Sequence, residues 1–293
     1  MALNPLRVAV IVKNTPASFE RDRRNMGMWS YPVDEFTWDF FALGKAFRLD
    51  TAHLKALGYD LVFHEDGGSW GDYAGAALPV IYYSIDSTLS LEHHFIPRKQ
   101  QAERADLVLV DHDRLERFQA GTRAPVRRLS FCVNDRLFYE RSKTIDVAFH
   151  CGGGDMGRTL MRSQLEAVCT RARLRYVSGA VDLATYAQHM GEARVVVNIP
   201  RNPSNRPHRV FDAQASFAAL VTTPLPDVSD ERRRPFDVLT CEFLDVAERA
   251  RILVENGTWE LLAIAGRETV MQYHTWQVRA RELRALVAEQ FAI

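Results

Sequence analysis

The chain holds only four cysteines, Cys132, Cys151, Cys169 and Cys241, far apart and forming no CxxC pair. That argues against a disulfide framework or a structural zinc site and predicts reduced thiols in a cytoplasmic protein. No apolar run approaches the roughly 18 residues that a membrane helix needs. The opening MALNPLRVAVIV has too little charge and no cleavage pattern for a secretory signal. There is no excess of charge of either sign: 37 basic residues balance 37 acidic ones. Bulk coating of nucleic acid is therefore not expected, although a local patch remains compatible with neutrality. Repeats of fixed period and low-complexity tracts are missing. No GxGxxG follows Lys13 and no GxxxxGK[ST] occurs anywhere, which disfavours a dinucleotide oxidoreductase and a P-loop enzyme.

What is present is apolar content, 47% of 293 residues, enough for two cores in domains of roughly 145 residues. The most informative stretch is Val195 to Pro226. An apolar run, Val195–Ile199, enters a loop rich in Asn, Pro and Arg; a helical stretch follows from about Pro207 to Phe217, then a second apolar run, Ala218–Thr223, stopped by Pro224. That order is a βαβ unit of a parallel sheet, and its loop lies at the carboxyl end of a strand, where open α/β sheets hold ligands. Pro207 suits a helix start. The amides there, with His208 and Arg209, suit a phosphate, and Asp212 lies one turn beyond His208 on the same face, suited to ribose hydroxyls. The plainer reading is a surface loop with solvated arginines.

Earlier in the chain, Arg7–Lys13 reads as a buried parallel strand, followed by a long polar loop from Asn14 to Pro32. Asp34–Arg48 reads as a helix with Phe36, Phe40, Leu43 and Phe47 inward. Leu61–His64 is a strand, Glu65–Tyr73 a Gly-rich loop, Pro79–Ile85 a strand with Asp86 at its end, Leu91–Ala105 a helix, and Ala105–Val110 and Val126–Ser130 strands. Asn134–Thr144 is polar and aperiodic, the expected linker. The pattern then restarts: strand Ile145–His150, turn Cys151–Gly157, helix Arg158–Arg171, strand Leu174–Val177, helix Val181–Met190. After the central unit come a short strand at Val238-Leu239, a helix over Asp245–Glu255, and helix from Trp259 to Phe291 broken near Tyr273–Thr275. The expected fold class is α/β, two Rossmann-like lobes facing each other across a cleft. The first lobe is expected to span 1–138, the second 139–274, and helix 275–293 to pack back on the first lobe. Gly152 and Gly153, followed by Arg158, let a ligand approach the backbone at a second strand end; a tight strand-to-helix turn is the plainer reading.

These segments resemble the GT-B glycosyltransferases, in particular the group that includes the spore-maturation CgeB-like enzymes. The likeness lies in Ile145–Phe149 with its Gly turn and Arg158, in the Asn198–Pro200 loop, and in Arg209-Val210-Phe211-Asp212 leading to Ala219–Thr223. It extends to Pro79–Ser87, Ala105–Leu109 and the tail Tyr273–Trp276 with Arg279, covering about 80–290. The family usually carries Glu in place of Asp212 and Gly near Phe217. The resemblance implies transfer of a sugar from a nucleotide diphosphate, UDP as the first guess, without a metal or other cofactor. It implies a donor site of Gly152, Gly153, Arg158, Ser178, Asn198, His208, Arg209, Val210 and Asp212. Arg209 and Arg158 meet the leaving diphosphate, Asp212 the ribose, and the 177–179 loop the base.

An inverting enzyme also needs a general base, for which Asp86 is the first candidate and His93, His94 and Glu35 follow. The acceptor is unidentified, with a small molecule, glycan or protein favoured. The basic runs Arg232-Arg233-Arg234 and Arg21/Arg23/Arg24 keep hydroxylated DNA bases open as an alternative, and no membrane span is expected. Rival readings are a GT-B-shaped epimerase or phosphorylase and a non-catalytic sugar-nucleotide-binding module. A phosphorylase of the usual kind needs a cofactor lysine, and none of the five lysines stands in a convincing setting.

Overall fold

The computed structural model describes residues 4–12, 28–44, 46–65, 70–84, 92–111, 115–151, 155–200, 207–225 and 237–293. They form two compact units. One contains the described residues up to Phe131 together with Gln277–Ile293; the other runs from Cys132 to Trp276.

The first unit is built on a parallel sheet of six strands: β1 (Leu6–Val12), β2 (Phe36–Ala42), β4 (Leu61–Glu65), β6 (Val80–Ser84), β7 (Leu107–Val110) and β8 (Val126–Arg128). Their spatial order is β2-β1-β4-β6-β7-β8. The inner strands are continuous apolar runs because both faces are covered, and β1, β4, β6 and β7 are almost wholly buried. One face packs against helices α1 (Thr51–Ala56), α2 (Glu92–Ala102) and α3 (Leu115–Gln119) through Leu54, Phe95, Ala102 and Phe118. A separate two-stranded parallel ribbon joins β3 (Ala46–Asp50) to β5 (Trp70–Ala74).

Two expectations fail here. The stretch 34–48 is not a helix but β2 and β3. Its apolar spacing also fits period two, with Phe36, Trp38 and Phe40 alternating with Thr37 and Asp39, and aromatic side chains favour strands. Gly44, at φ +77°, interrupts what would have been the helix middle. The stretch 65–73 is likewise no plain loop, since Trp70 begins β5.

The second unit alternates more regularly: β9 (Ile145–Phe149), α4 (Met156–Ala172), β10 (Tyr176–Ser178), α5 (Leu183–Glu192), β11 (Ala193–Asn198), α6 (His208–Ala215), β12 (Ala219–Thr222), β13 (Leu239–Thr240), α7 (Val246–Glu255) and α8 (Trp259–Tyr273). The strands are parallel in the order β10-β9-β11-β12-β13. Side chains alternate between faces along a strand. Val147, Phe149, Val195, Val197, Ala219 and Val221 meet α4, α7 and the start of α8 in one apolar core. The alternate positions, Ala148, Val196, Asn198 and Thr222, therefore face the side where α5 and α6 pack. The last helix, α9 (Trp276–Phe291), lies with the first unit. There its Arg279 donates to the Phe131 carbonyl at 3.3 Å.

The expected linker is packed against the second unit. Phe138 is fully buried, and the backbone at Tyr139–Arg141 passes so close to α5 that a Cβ on Gly191 would sit 2.7 Å from the Tyr139 carbonyl and from the Arg141 side chain. Lys143 then donates to the carbonyls of Gly191 at 2.8 Å and Ser216 at 3.0 Å, closing the ends of α5 and α6 together. Phe217 follows with φ +57°. Its ring packs edge-on to Trp259 at 6.3 Å.

Candidate functional site

In the second unit the chain steps from β9 outward to β10 and then back across to β11. The direction of winding therefore reverses between β9 and β11, and at such a reversal open α/β sheets bind ligands beyond the carboxyl ends of the strands. His150 and Cys151 leave one strand end; Ile199 and Pro200 leave the other.

Period-two geometry puts Asn198 and Thr222 side by side, as direct register partners facing the α5/α6 side. Both are fully buried. The Asn198 amide nitrogen donates to Thr222 Oγ1 at 3.1 Å, and its oxygen accepts from Arg209 Nη1 at 2.8 Å. The amide is thus oriented from both sides and holds the guanidinium by its neutral end. Arg209 forms no ion pair with any described residue, and its Nε is closed from solvent with no described partner. A half-buried cation with only neutral partners is a prepared anion site.

Asp212, one turn further along α6, is 4% exposed. It does not neutralise Arg209. Its Oδ2 accepts instead from the Tyr186 hydroxyl on α5, at 3.0 Å. Burial raises the Asp212 carboxyl to about 8 against the opposing pull of that hydroxyl and of Arg209, so near neutrality it keeps a proton. The same burial, reinforced by Asp212, raises Tyr186 well above its ordinary value. The Tyr186 ring is wedged edge-on between Phe138 at 5.7 Å and His150 at 5.8 Å.

His150 is itself held on both nitrogens: Nδ1 lies 2.9 Å from the Gly179 carbonyl, and Nε2 lies 2.9 Å from His189 Nδ1. A carbonyl only accepts, so His150 Nδ1 carries the hydrogen and a neutral ring accepts from His189. Burial lowers its pKa, which favours that neutral form.

The two helix starts differ. Asp155 caps α4, accepting from the Arg158 amide at 2.8 Å, and its other oxygen lies 3.4 Å from Arg158 Nε. Arg158 Nε also donates to the Ile199 carbonyl at 3.2 Å. Arg158 therefore ties the start of α4 to Ile199, just beyond β11. The carboxylate at this helix start already answers its dipole. At α6, Pro207 stands at the cap position and supplies no side-chain hydrogen bond. Burial pushes the His208 imidazole down to about 4, so that ring brings no charge at neutral pH.

With this geometry in place, the family is clear. A family described as glycosyl transferase-like matches residues 127–285, more than half of the chain. The chain belongs to this glycosyl transferase-like family. Among curated proteins no sequence is significantly similar. The fold is GT-B, shared with solved glycosyltransferases at low identity. Anabaena Alr3699/HepE, solved with UDP and glucose, superposes with a TM-score of 0.63 at 12% identity over 97% of this chain and 100% of that one. An alpha-glucosyltransferase bound to UDP-glucose and DNA with an abasic site gives 0.62 at 8% identity over 97% and 100%. The sucrose-phosphate synthase tll1590 of Thermosynechococcus elongatus gives 0.59 at 13% identity over 98% and 100%.

Of the residues singled out in the sequence, Asn198, Arg209 and Asp212 are gathered in this transferase at one strand edge, and Arg158 joins them through Ile199. Val210 is buried in the core under α6. Ser178 ends β10, half-buried beside the Gly179 turn. Gly152, Gly153 and Asp86 lie outside the described residues, as do Arg232–Arg234 and Arg21, Arg23 and Arg24. Of His93 and His94 only the helical backbone is described. The Glu35 carbonyl pairs with the Leu6 amide at the amino ends of β1 and β2, whereas open α/β sheets hold ligands at the carboxyl ends of their strands. Sequence reasoning missed Tyr186, His150, His189 and Thr222. Tyr186 and His189 stand three apart on one helix face, a spacing that marks a shared neighbour but not which one. Among the described residues no three His, Cys, Asp or Glu side chains gather as metal ligands do, and no helix is long and apolar enough to cross a membrane.

Proposed function

We propose that this glycosyl transferase-like protein moves a sugar from a nucleotide diphosphate, UDP first, to an acceptor hydroxyl without a metal, in the manner of the CgeB-like branch. The observation that carries the reading is the Arg209 guanidinium, held by Asn198 and free of any described counter-ion. In this reading it meets the diphosphate, whose negative charge grows as the glycosidic bond breaks, and lowers that barrier. In this reading amides of the α6 start and of Gly152 and Gly153 add donors, with His208, Val210 and Arg158 shaping the phosphate side. Asp212 takes the ribose hydroxyls and the Ser178 loop the edge of the base. Asp86, two residues after Ser84 in the sequence, serves as the general base on the acceptor.

The UDP-bound relatives of the same fold support UDP as the first donor to try. The test is a thermal-shift panel of nucleoside diphosphates and their sugars. UDP should raise the melting temperature of the native protein, because binding only to the folded state stabilises it. Arg209→Ala should abolish that shift; an unchanged shift would move the donor elsewhere. Acceptor binding that weakens steeply with salt would favour DNA as acceptor over a small molecule, glycan or protein.

A further inference from the structure

We propose that Tyr186, on the neighbouring helix α5, is the positioning residue that gives this site its recognition of ribose. The inference rests on the donor reading above and assigns a role to a residue outside it. Three observations carry it. Asp212 is a carbon shorter than glutamate, and its side chain makes a single hydrogen bond among the described residues, to Tyr186 through Oδ2. Its other oxygen is therefore left for a ligand. The Tyr186 ring cannot swing away, since Phe138 and His150 pack edge-on against it. His150 in turn is fixed at both nitrogens, by Gly179 and His189. The hydroxyl thus meets Asp212 from a rigid wall.

The consequence is geometric. A short carboxyl on α6, free to rotate about its χ angles, would turn to Arg209 three residues earlier, give up its proton and form an ion pair there. The Tyr186 hydroxyl holds one carboxyl oxygen toward α5. Arg209 is left for phosphate and the second carboxyl oxygen for a sugar hydroxyl. Removing only the hydroxyl should therefore cost recognition of the ribose diol and leave phosphate recognition in place.

The test is calorimetric titration of wild type, Tyr186→Phe and Asp212→Asn with UDP and with 2′,3′-dideoxyuridine 5′-diphosphate. Wild type should prefer UDP by roughly tenfold, the value of one or two ordinary hydrogen bonds to the diol. Tyr186→Phe should bring that ratio close to one by weakening UDP, with the dideoxy compound bound within about twofold of wild type. Asp212→Asn should lose the preference as well. A Tyr186→Phe protein that keeps the wild-type ratio overturns the assignment, whether both affinities fall together, as a merely structural role requires, or neither changes. Loss of preference in Tyr186→Phe but not in Asp212→Asn also overturns it. Wild-type protein that binds neither compound overturns the UDP-donor reading itself, and this assignment with it.

Discussion

Arg209 reaches Asn198 at 2.8 Å and no carboxylate among the described residues. Its charge is therefore offset only by dipoles, and the fold supports that arrangement from behind through the pairing of Asn198 with Thr222. Asn198→Asp tests this directly. A carboxylate at that position would pair with the guanidinium and cancel the attraction for an anion. Titration with UDP should show affinity weakened by about tenfold or more, since a charge-assisted bond is being traded away. The melting temperature should stay level or rise, which separates lost charge from lost fold.

A second expectation concerns Phe217, whose φ of +57° is a conformation that favours glycine. Phe217 tolerates the strain because its ring packs against Trp259. Phe217→Ala loses the ring and keeps the strain; Phe217→Gly loses both. Chemical denaturation should therefore find the Gly variant more stable than the Ala variant by about 1 kcal/mol. An Ala variant equal to or better than Gly would remove this explanation.

The pH dependence of stability should show two limbs. Folded Asp212 keeps its proton up to about 8, whereas an unfolded aspartate releases it near 3.8. The folded chain holds the extra proton between those values, so this residue makes stability fall as pH rises from about 4 to about 8. Asp212→Asn should raise the melting temperature more at pH 8 than at pH 5. On the acid side, burial pushes His64 down to about 3, while an unfolded histidine takes up its proton near 6.5. Stability is therefore lost as pH falls through that interval. Melting curves recorded from pH 4 to pH 9 check both limbs.

Gly191→Ala should cost about 2 kcal/mol, because the new Cβ meets backbone at Tyr139, which cannot rotate away. Equilibrium unfolding of the variant measures it. Gly257→Ala is the contrast: nothing crowds that site, and only the positive φ of +74° opposes it.

Much of the second unit was legible in the sequence because its strands are continuous apolar runs and most of its helices begin at Pro or Asp. Val195–Asn198, Pro207 and Ala219–Thr222 each carry a local signal. The crossing partners of that segment do not. That Asn198 faces Thr222 follows from register, and that Asp212 faces Tyr186 follows from two helices packing on one face; neither is encoded at short range. The 34–48 stretch misled because four apolar residues satisfy a helical period while the aromatic alternation and Gly44 favour strands. The helix start near Arg158 differs from its sequence reading for another reason: Asp155 is not part of a turn but caps the helix and lies beside the Arg158 guanidinium.

The central claim is that the Arg209 guanidinium faces a departing diphosphate. A crystal structure of the protein with UDP tests it most directly. The account predicts an Arg209 nitrogen within about 3 Å of a diphosphate oxygen, the distance of a charge-assisted hydrogen bond. UDP seated elsewhere, with Arg209 still bound only to Asn198, would contradict it.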